Sequence, residues 1–286
     1  MEKRQRTRKQ LIEYLWGTGI EIGALHKPMD LTGANVTEVL YVDSLTLEEL
    51  RNHYPELNDL PLVTPDIVVD GTTLATIEGE SLDFIIANHL IEHLDNPLLA
   101  FESWCGKLKQ GGVVFMAVPD KRYTFDKPRP LTPLHHLIDD YESSDEERVK
   151  RNRLHFVETA EVIEGRVGKS SQDRVNNLIA RNYSIHHHVW TFESFGDVLD
   201  YVIEQMQVPY EILDYSSPLP GDNEFIFILS KGTNGYREAL ENFPTSSGRV
   251  VSVWAFFPRV KRDLNLLKNE GLRSFIRKFL DLIIGE

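Results

Sequence analysis

The chain has 286 residues, 41% of them hydrophobic, with a formal net charge of −13 and one cysteine, Cys105. That length and apolar content suffice for one large domain, or a domain with an appendage, and exclude a disordered chain. The acidic balance opposes a phosphate backbone, so no nucleic-acid partner is expected, and the single cysteine excludes a disulfide framework. The opening MEKRQRTRKQ lacks the apolar centre of a signal peptide, and no run of about eighteen apolar residues occurs. The expectation is a cytoplasmic protein without a spanning segment.

In chain order, short apolar runs at residues 19–22, 39–42, 67–69, 84–87 and 113–118 alternate with longer amphipathic stretches. This predicts a parallel sheet covered by helices on both faces. LLAFESWCGKLKQGG carries its apolar residues on one helical face and then meets Gly111 and Gly112, which are expected to stop the helix. Beyond Pro119 the pattern breaks into polar, His-rich and Pro-rich sequence as far as Val189. Order returns in WTFESFGDVLDYVIEQM, with Thr191 as expected N-cap and Trp190 and Phe195 as a hydrophobic staple. Two last runs, residues 210–213 and 225–229, predict a terminal antiparallel hairpin, which brings the strands to seven.

GIEIGALHKP, residues 19–28, ends a buried strand in a turn with one glycine where a dinucleotide loop has three. In a GxGxxG loop the second glycine admits a pyrophosphate and the third admits a helix. Counted from Gly23, those places hold Leu25 and Pro28, so NAD and FAD lack their cradle. A ligand with a ribose and no phosphate needs one close backbone approach, at Gly23, and a carboxylate for its hydroxyls. Asp43 closes the second strand twenty residues later, where that carboxylate belongs. S-adenosylmethionine (SAM) meets this description.

Five segments in order, IEIGA, YVDS, VVDG, LDFIIANHLIEHLDNP and LKQGGVVFMAVP, resemble the class I SAM-dependent methyltransferases of type 11 over residues 17–118. The resemblance implies a Rossmann-like α/β fold, a doubly wound and mostly parallel seven-stranded sheet. It places Glu21 and Gly23 near the methionine moiety, Asp43 on the ribose, Asp70 on the adenine amine and Asn88 at the methyl-donor pocket. Ala24, Ser44, Gly71 and His89 flank them. One departure is evident: Leu25 replaces the second glycine of the family's E/D-x-G-x-G. The implied organisation is a SAM-binding core at 1–118, a helical cap that binds the acceptor at 119–189, the rest of the core at 190–233 and a C-terminal helical appendage at 234–286.

Taken singly, Asp43 and Asp70 are ordinary turn formers at strand ends; only their place in the full set argues for ligand binding. Glu21 differs, because an unpaired carboxylate inside an apolar strand is costly and therefore asks for a function. HLIEH, residues 89–93, is also the H-x-x-E-H pattern of some zinc peptidases. That reading needs a long regular helix, whereas this segment leaves a strand directly and meets Asp95, Asn96 and Pro97 within a turn.

The cap contributes Asp120, Arg122, Tyr123, Asp126, Arg129, His135, His136, Asp139 and Asp140, then His186, His187 and His188. Hydrogen-bonding groups this dense at the strand ends suit a polyhydroxylated acceptor, and PDKRYTFDK and HVWTFESF resemble methyltransferases of bacterial surface-glycan assembly. A sugar hydroxyl needs a base, and His188 is expected to supply it, with His136 second and Asp140, four residues on, orienting that imidazole. His186 and His187 read as incidental. No metal ligands are assigned, although a His/Asp cluster that binds a divalent ion stays open. A methyltransferase for another small metabolite and a non-catalytic SAM-binding partner are the alternative functions. In the tail, LRSFIRKFLDLIIGE puts seven apolar residues on one helical face. It is expected to pack on the core or form a homodimer, or to lie peripherally on the inner face of an anionic cytoplasmic membrane.

Overall fold

The computed structural model of the protein describes residues 6–218 and 221–232. The expected tail at 234–286, with Lys3 and Arg4 of the basic N-terminus, lies outside the described residues. Helix α1 (Arg8–Leu11) leads into β1 (Trp16–Ile22), β2 (Asn35–Asp43), α2 (Leu47–His53), β3 (Ile67–Val68), β4 (Leu82–Asn88), α3 (Pro97–Lys107) and β5 (Leu108–Pro119). Three helices follow, α4 (Leu134–Glu142), α5 (Asp145–Glu158) and α6 (Gly168–Ala180). Then come α7 (Phe192–Glu204), β6 (Tyr210–Ser216) and β7 (Glu224–Lys231).

The seven strands form one sheet in the order β3-β2-β1-β4-β5-β7-β6. The first five are parallel, and β7 runs antiparallel to both β5 and β6. This is the doubly wound sheet that the apolar runs predict, with the Rossmann-like topology that the family resemblance implies. Its strand order reverses between β1 and β4, so their carboxyl ends open a crevice there. The centre is dry because β4 and β5 carry apolar side chains on both faces, as strands covered on both sides must: Phe84, Ile85, Ile86, Phe115 and Met116 are all fully buried.

Two glycines set how closely β1 approaches its neighbour. A Cβ on Gly19 would strike the carbonyl oxygen and ring of Phe84 in β4, and one on Gly17, whose φ is +71°, would strike the Asp83 carboxylate. A third glycine position differs from the sequence expectation. Helix α3 stops at Lys107, and Gly111 and Gly112 lie inside β5 instead of capping the helix. The reason is a register shift where β5 begins to pair with β4, at which a Cβ on Gly112 would meet the Leu82 carbonyl at 3.0 Å. Helix α7 starts as expected: Thr191 accepts from the Ser194 amide at 3.3 Å, and the Trp190 and Phe195 rings stand 5.1 Å apart.

The cap helices are built differently from the core. Helix α5 buries only Asn152 and His155, while its Val149 and Leu154 are 64% and 60% exposed. Helix α4 buries Leu137 and Asp140. No helix among the described residues is long and apolar enough to cross a membrane.

Gly19→Ala is expected to destabilise the protein by more than about 2 kcal/mol, because the clash is with backbone that cannot step aside. Urea unfolding measures it. A midpoint equal to that of the wild type would show that β1 and β4 are not so closely packed.

Candidate active site

A cavity of about 810 Å³ opens over the carboxyl ends of β1 to β4. Its first wall comes from the loops leaving those strands: Gly23 and Leu25 after β1, Asp43 and Ser44 at β2, Asp70 and Gly71 after β3, His89 and Leu90 after β4. Four parallel strands ending side by side place these residues together although 67 positions separate the first from the last.

Glu21 stands one position behind this wall, 1% exposed, and both its carboxylate oxygens accept from the Met29 amide at 3.0 Å. Burial pushes its pKa up, against the hydrogen bonds from Met29 and Asn88. Its buried charge is thereby answered, and the turn between Gly23 and Met29 is tied to the sheet. Gly23 takes a φ of +69° and donates its amide to the Val42 carbonyl at 2.8 Å; a Cβ there would touch only Leu90, at 3.8 Å. Leu25 keeps the left-handed conformation that the missing glycine would take, with a φ of +49°, and puts its side chain on the cavity.

Asp43 is drawn up in pKa by burial, against hydrogen bonds from Leu45 and Ser44. Asp70 accepts from the Thr73 amide and hydroxyl at 3.0 and 2.9 Å, which braces the turn after β3 while the residue also lines the cavity. Ala24 and Asn88, expected at the cofactor, are not part of the wall. Ala24 closes a turn by accepting from the Lys27 amide at 2.9 Å, and Asn88 sits behind, its Nδ2 3.5 Å from Met29 Sδ and its buried Oδ1 without a partner.

The second wall belongs to the cap. Lys150, Asn152, Arg153 and Phe156 of α5 line it with Asn182, Tyr183, Ser184 and His187. The histidines sort differently from the sequence expectation. His188 does not reach the cavity: it is fully buried, and burial, reinforced by His155, His187 and His136, lowers its pKa well below the usual value. His187, read as incidental, lines the cavity instead, because neighbours in this extended stretch point apart. Burial pushes its pKa down to about 3, so it is neutral at ordinary pH. His186 donates through Nδ1 to Asp126 Oδ2 at 2.6 Å, and its Nε2 stands 4.0 Å from Glu92. His136 and Asp140 do share a face of α4, with Nε2 to Oδ2 at 3.1 Å, and Asp140 is fully buried.

HLIEH leaves β4 through a bend and makes a 3₁₀ turn, Ile91–His93, in place of a helix, and His89 takes a φ of +49°. The two histidines therefore do not lie one turn apart on a regular helix, as a peptidase zinc site requires. Both nevertheless line the cavity. His89 Nε2 lies 2.6 Å from Glu224 Oε2 on β7, and the same carboxylate takes two bonds from Arg8, at 2.6 and 2.7 Å. Burial works to lower the His89 pKa, but the Glu224 hydrogen bond and the charges of Glu92 and Glu224 raise it above 6.5. Burial likewise opposes ionisation of Glu224, yet Arg8 and His89 pull its pKa down to about 2. Sequence reasoning missed Glu224, which is 135 residues from its partner, and the cap wall, whose helices show no motif.

A family profile described as a methyltransferase domain matches residues 5–200. The chain belongs to the methyltransferase domain family. Among solved structures, this methyltransferase is similar to a SAM-dependent methyltransferase from Methanosarcina mazei, 15% identical, with 80% of this chain and 99% of that one covered and a TM-score of 0.43. One from Clostridium acetobutylicum is 10% identical, covering 79% and 89% with a TM-score of 0.43. A Rhodobacter sphaeroides protein described as a zinc-dependent alcohol dehydrogenase is 17% identical, covering 81% and 92% with a TM-score of 0.47. Such likenesses are of fold alone. No curated protein matches the sequence.

The cofactor is SAM, and the first wall fits it. Gly23 leaves its backbone open to close approach, Asp43 offers a carboxylate at the end of β2, and no glycine-rich phosphate cradle competes. When bound, SAM supplies a methyl carbon activated by a sulfonium. Asp43→Ala is expected to weaken SAM binding by about 1.5–3 kcal/mol, the worth of hydrogen bonds to a charged group. Calorimetric titration of the folded variant checks this, and wild-type affinity would remove Asp43 from the cofactor site.

Proposed function

We propose that this methyltransferase methylates a hydroxyl of a sugar or glycan, with His89 as the base. The supporting observation is the continuity of one cavity from the SAM wall to a polar cap wall. Lys150, Asn152, Arg153, Asn182, Ser184 and His187 present donors and acceptors there, as a polyhydroxylated acceptor requires, beside the apolar groups of Val149, Phe156 and Ile179 that can cover a sugar ring face.

The methyl transfer is an in-line displacement, so holding the hydroxyl at the right distance and keeping water out account for much of the rate. A sugar hydroxyl ionises far above neutral pH, and a base within hydrogen-bond reach contributes roughly 10²–10⁴-fold. His89 replaces His188 in this role because it lies on the cavity wall and directly follows β4. Glu224, ionised and held by Arg8, accepts from His89 Nε2 and so leaves Nδ1 with its lone pair. With SAM bound, that Nδ1 would take the hydroxyl proton while the methyl group passed from sulfur to the acceptor oxygen, the carbon–sulfur pair staying on sulfur as the carbon–oxygen bond formed.

The acceptor class is tested by incubating the enzyme and SAM with nucleotide sugars, glycan fragments and a panel of non-sugar metabolites, and reading single-methyl mass gains. Methylation confined to sugar-bearing compounds is the expected result. Methylation of non-sugar metabolites alone would make it a small-metabolite enzyme, and SAM binding without any transfer would make it a binding module.

His89→Ala is expected to lower kcat by about 10²–10⁴-fold while SAM affinity changes little. Because His89 must be neutral to accept a proton, activity falls as pH drops through its raised pKa. Glu224→Gln removes the partner that raises it, so the acid limb of the profile moves to lower pH. An acid limb unmoved by Glu224→Gln would exclude His89 as the titrating base.

A further inference from the structure

The buried face of the cap holds a cluster that methyl transfer does not use. His136 of α4, His155 of α5 and His188 each bring a ring nitrogen within 4.8 Å of the other two. His136 Nε2 lies 3.1 Å from His155 Nε2 and 3.1 Å from Asp140 Oδ2. These groups have no adequate arrangement as hydrogen-bonded neighbours. One proton on His136 Nε2 cannot serve both His155 and Asp140, Asp140 Oδ2 makes no hydrogen bond, and neither ring nitrogen of His188 has a partner. Buried polar atoms left unpaired in this number are costly and ask for something that satisfies them together.

The spacing points to what that is. Ligands 2.0–2.1 Å from a tetrahedral zinc lie about 3.3 Å from each other along each edge. The 3.1 Å between His136 Nε2 and His155 Nε2 is close to that edge. Three imidazoles suit zinc or a related transition ion, whereas magnesium and calcium want oxygen alone. Outer contacts of the kind that orient ligands are also present: Arg151 Nε donates to Asp140 Oδ1 at 2.8 Å, and Glu158 Oε2 stands 3.9 Å from His155 Nδ1.

We infer that His136, His155 and His188 bind one divalent transition ion, zinc by preference, which ties α4 and α5 to the stretch at 186–188. Three places on the ion are filled by imidazoles from three different segments, and Asp140 Oδ2 stands beside them, 3.1 Å from His136 Nε2. A clamp is what α5 needs. That helix buries Asn152 and His155 and exposes Val149 and Leu154, so apolar burial cannot hold it in place. Once held, α5 presents Asn152 and Phe156 to the cavity on either side of His155, and the residue before His188 presents His187. The ion thus sets the position of the acceptor wall, and its binding does not depend on which acceptor that wall takes.

The test uses the full chain purified without chelator, its metal content measured by elemental mass spectrometry. About one transition ion per chain is expected for a single site. His136→Gln, the change at the least buried ligand, is expected to lower zinc affinity by more than the roughly 10–100-fold that outer-shell changes cost. His186→Gln is the control: with Glu92 and His93 it forms a second triad of possible ligands, and the variant is expected to keep the ion. Because a ligand variant can fail to fold, the wild type is tested as well. Stripping it with a strong chelator is expected to lower the thermal midpoint by roughly 5–10 °C, restored by zinc, as loss of a ligand held at about 100 Kd would do. Protein that carries no stoichiometric ion and keeps its midpoint with chelator or added zinc would overturn the inference. So would an ion lost on His186→Gln and kept on His136→Gln.

Discussion

One carboxylate decides the shape of the cofactor corner. Glu21 sits in β1 between β2 and β4, where any charge is expensive, and it stays there because the Met29 amide donates to both its oxygens. That contact pulls the chain after β1 back onto the sheet. Gly23 and Leu25, both at positive φ, lie inside the loop it closes. Removing the acid would free the loop beside the cavity, because Glu21 is what ties Met29 back to the sheet. A strained leucine at position 25 persists for the same reason: the loop is held at both ends, and the Leu25 carbonyl is further fixed by the Val63 amide at 2.7 Å.

The three consecutive histidines illustrate how one extended stretch can serve three environments. His187 and His188 donate their amides to the Glu92 carbonyl, at 2.7 and 3.2 Å, and buried Arg129 grips the carbonyls of His186 and His187 at 2.8 and 3.2 Å. With the backbone fixed from both sides, the side chains are directed apart. His186 faces Asp126 and Glu92, His187 faces the cavity, and His188 faces His136 and His155. Arg129 also binds Asp126 and Glu158, at 3.1 and 2.9 Å, so one guanidinium holds together the carboxylates that neighbour two different histidine groups.

How legible this was in the sequence varied with how local the cause was. The strands of the sheet show as apolar runs because strands covered on both faces have no polar alternation to hide them, and Asp43 and Gly23 show because their positions at strand ends are set by the fold itself. Gly111 and Gly112 misled, since a glycine that ends a helix and one that admits a neighbouring strand look alike until the Leu82 carbonyl is beside it. The choice between His187 and His188 depended on which way an extended stretch faces, which is decided by Glu92 and Arg129, 95 and 58 residues away from His187. His155 carried no signal at all, because its partners His136 and His188 belong to other elements.

The family match ends at residue 200, before β6 and β7. Glu224, which hydrogen-bonds His89 Nε2, is therefore contributed by a part of the chain beyond the matched residues, and Arg8, which keeps Glu224 ionised, comes from the opposite end. The sheet joins them: β7 runs antiparallel beside β5, and Glu224 pairs with Pro119, at the edge where β4 delivers His89. Fold alone does not choose an acceptor, so around the SAM corner the groups that can do so are those the cap between β5 and α7 and the last strand bring to it, polar side chains whose burial only makes sense through their partners.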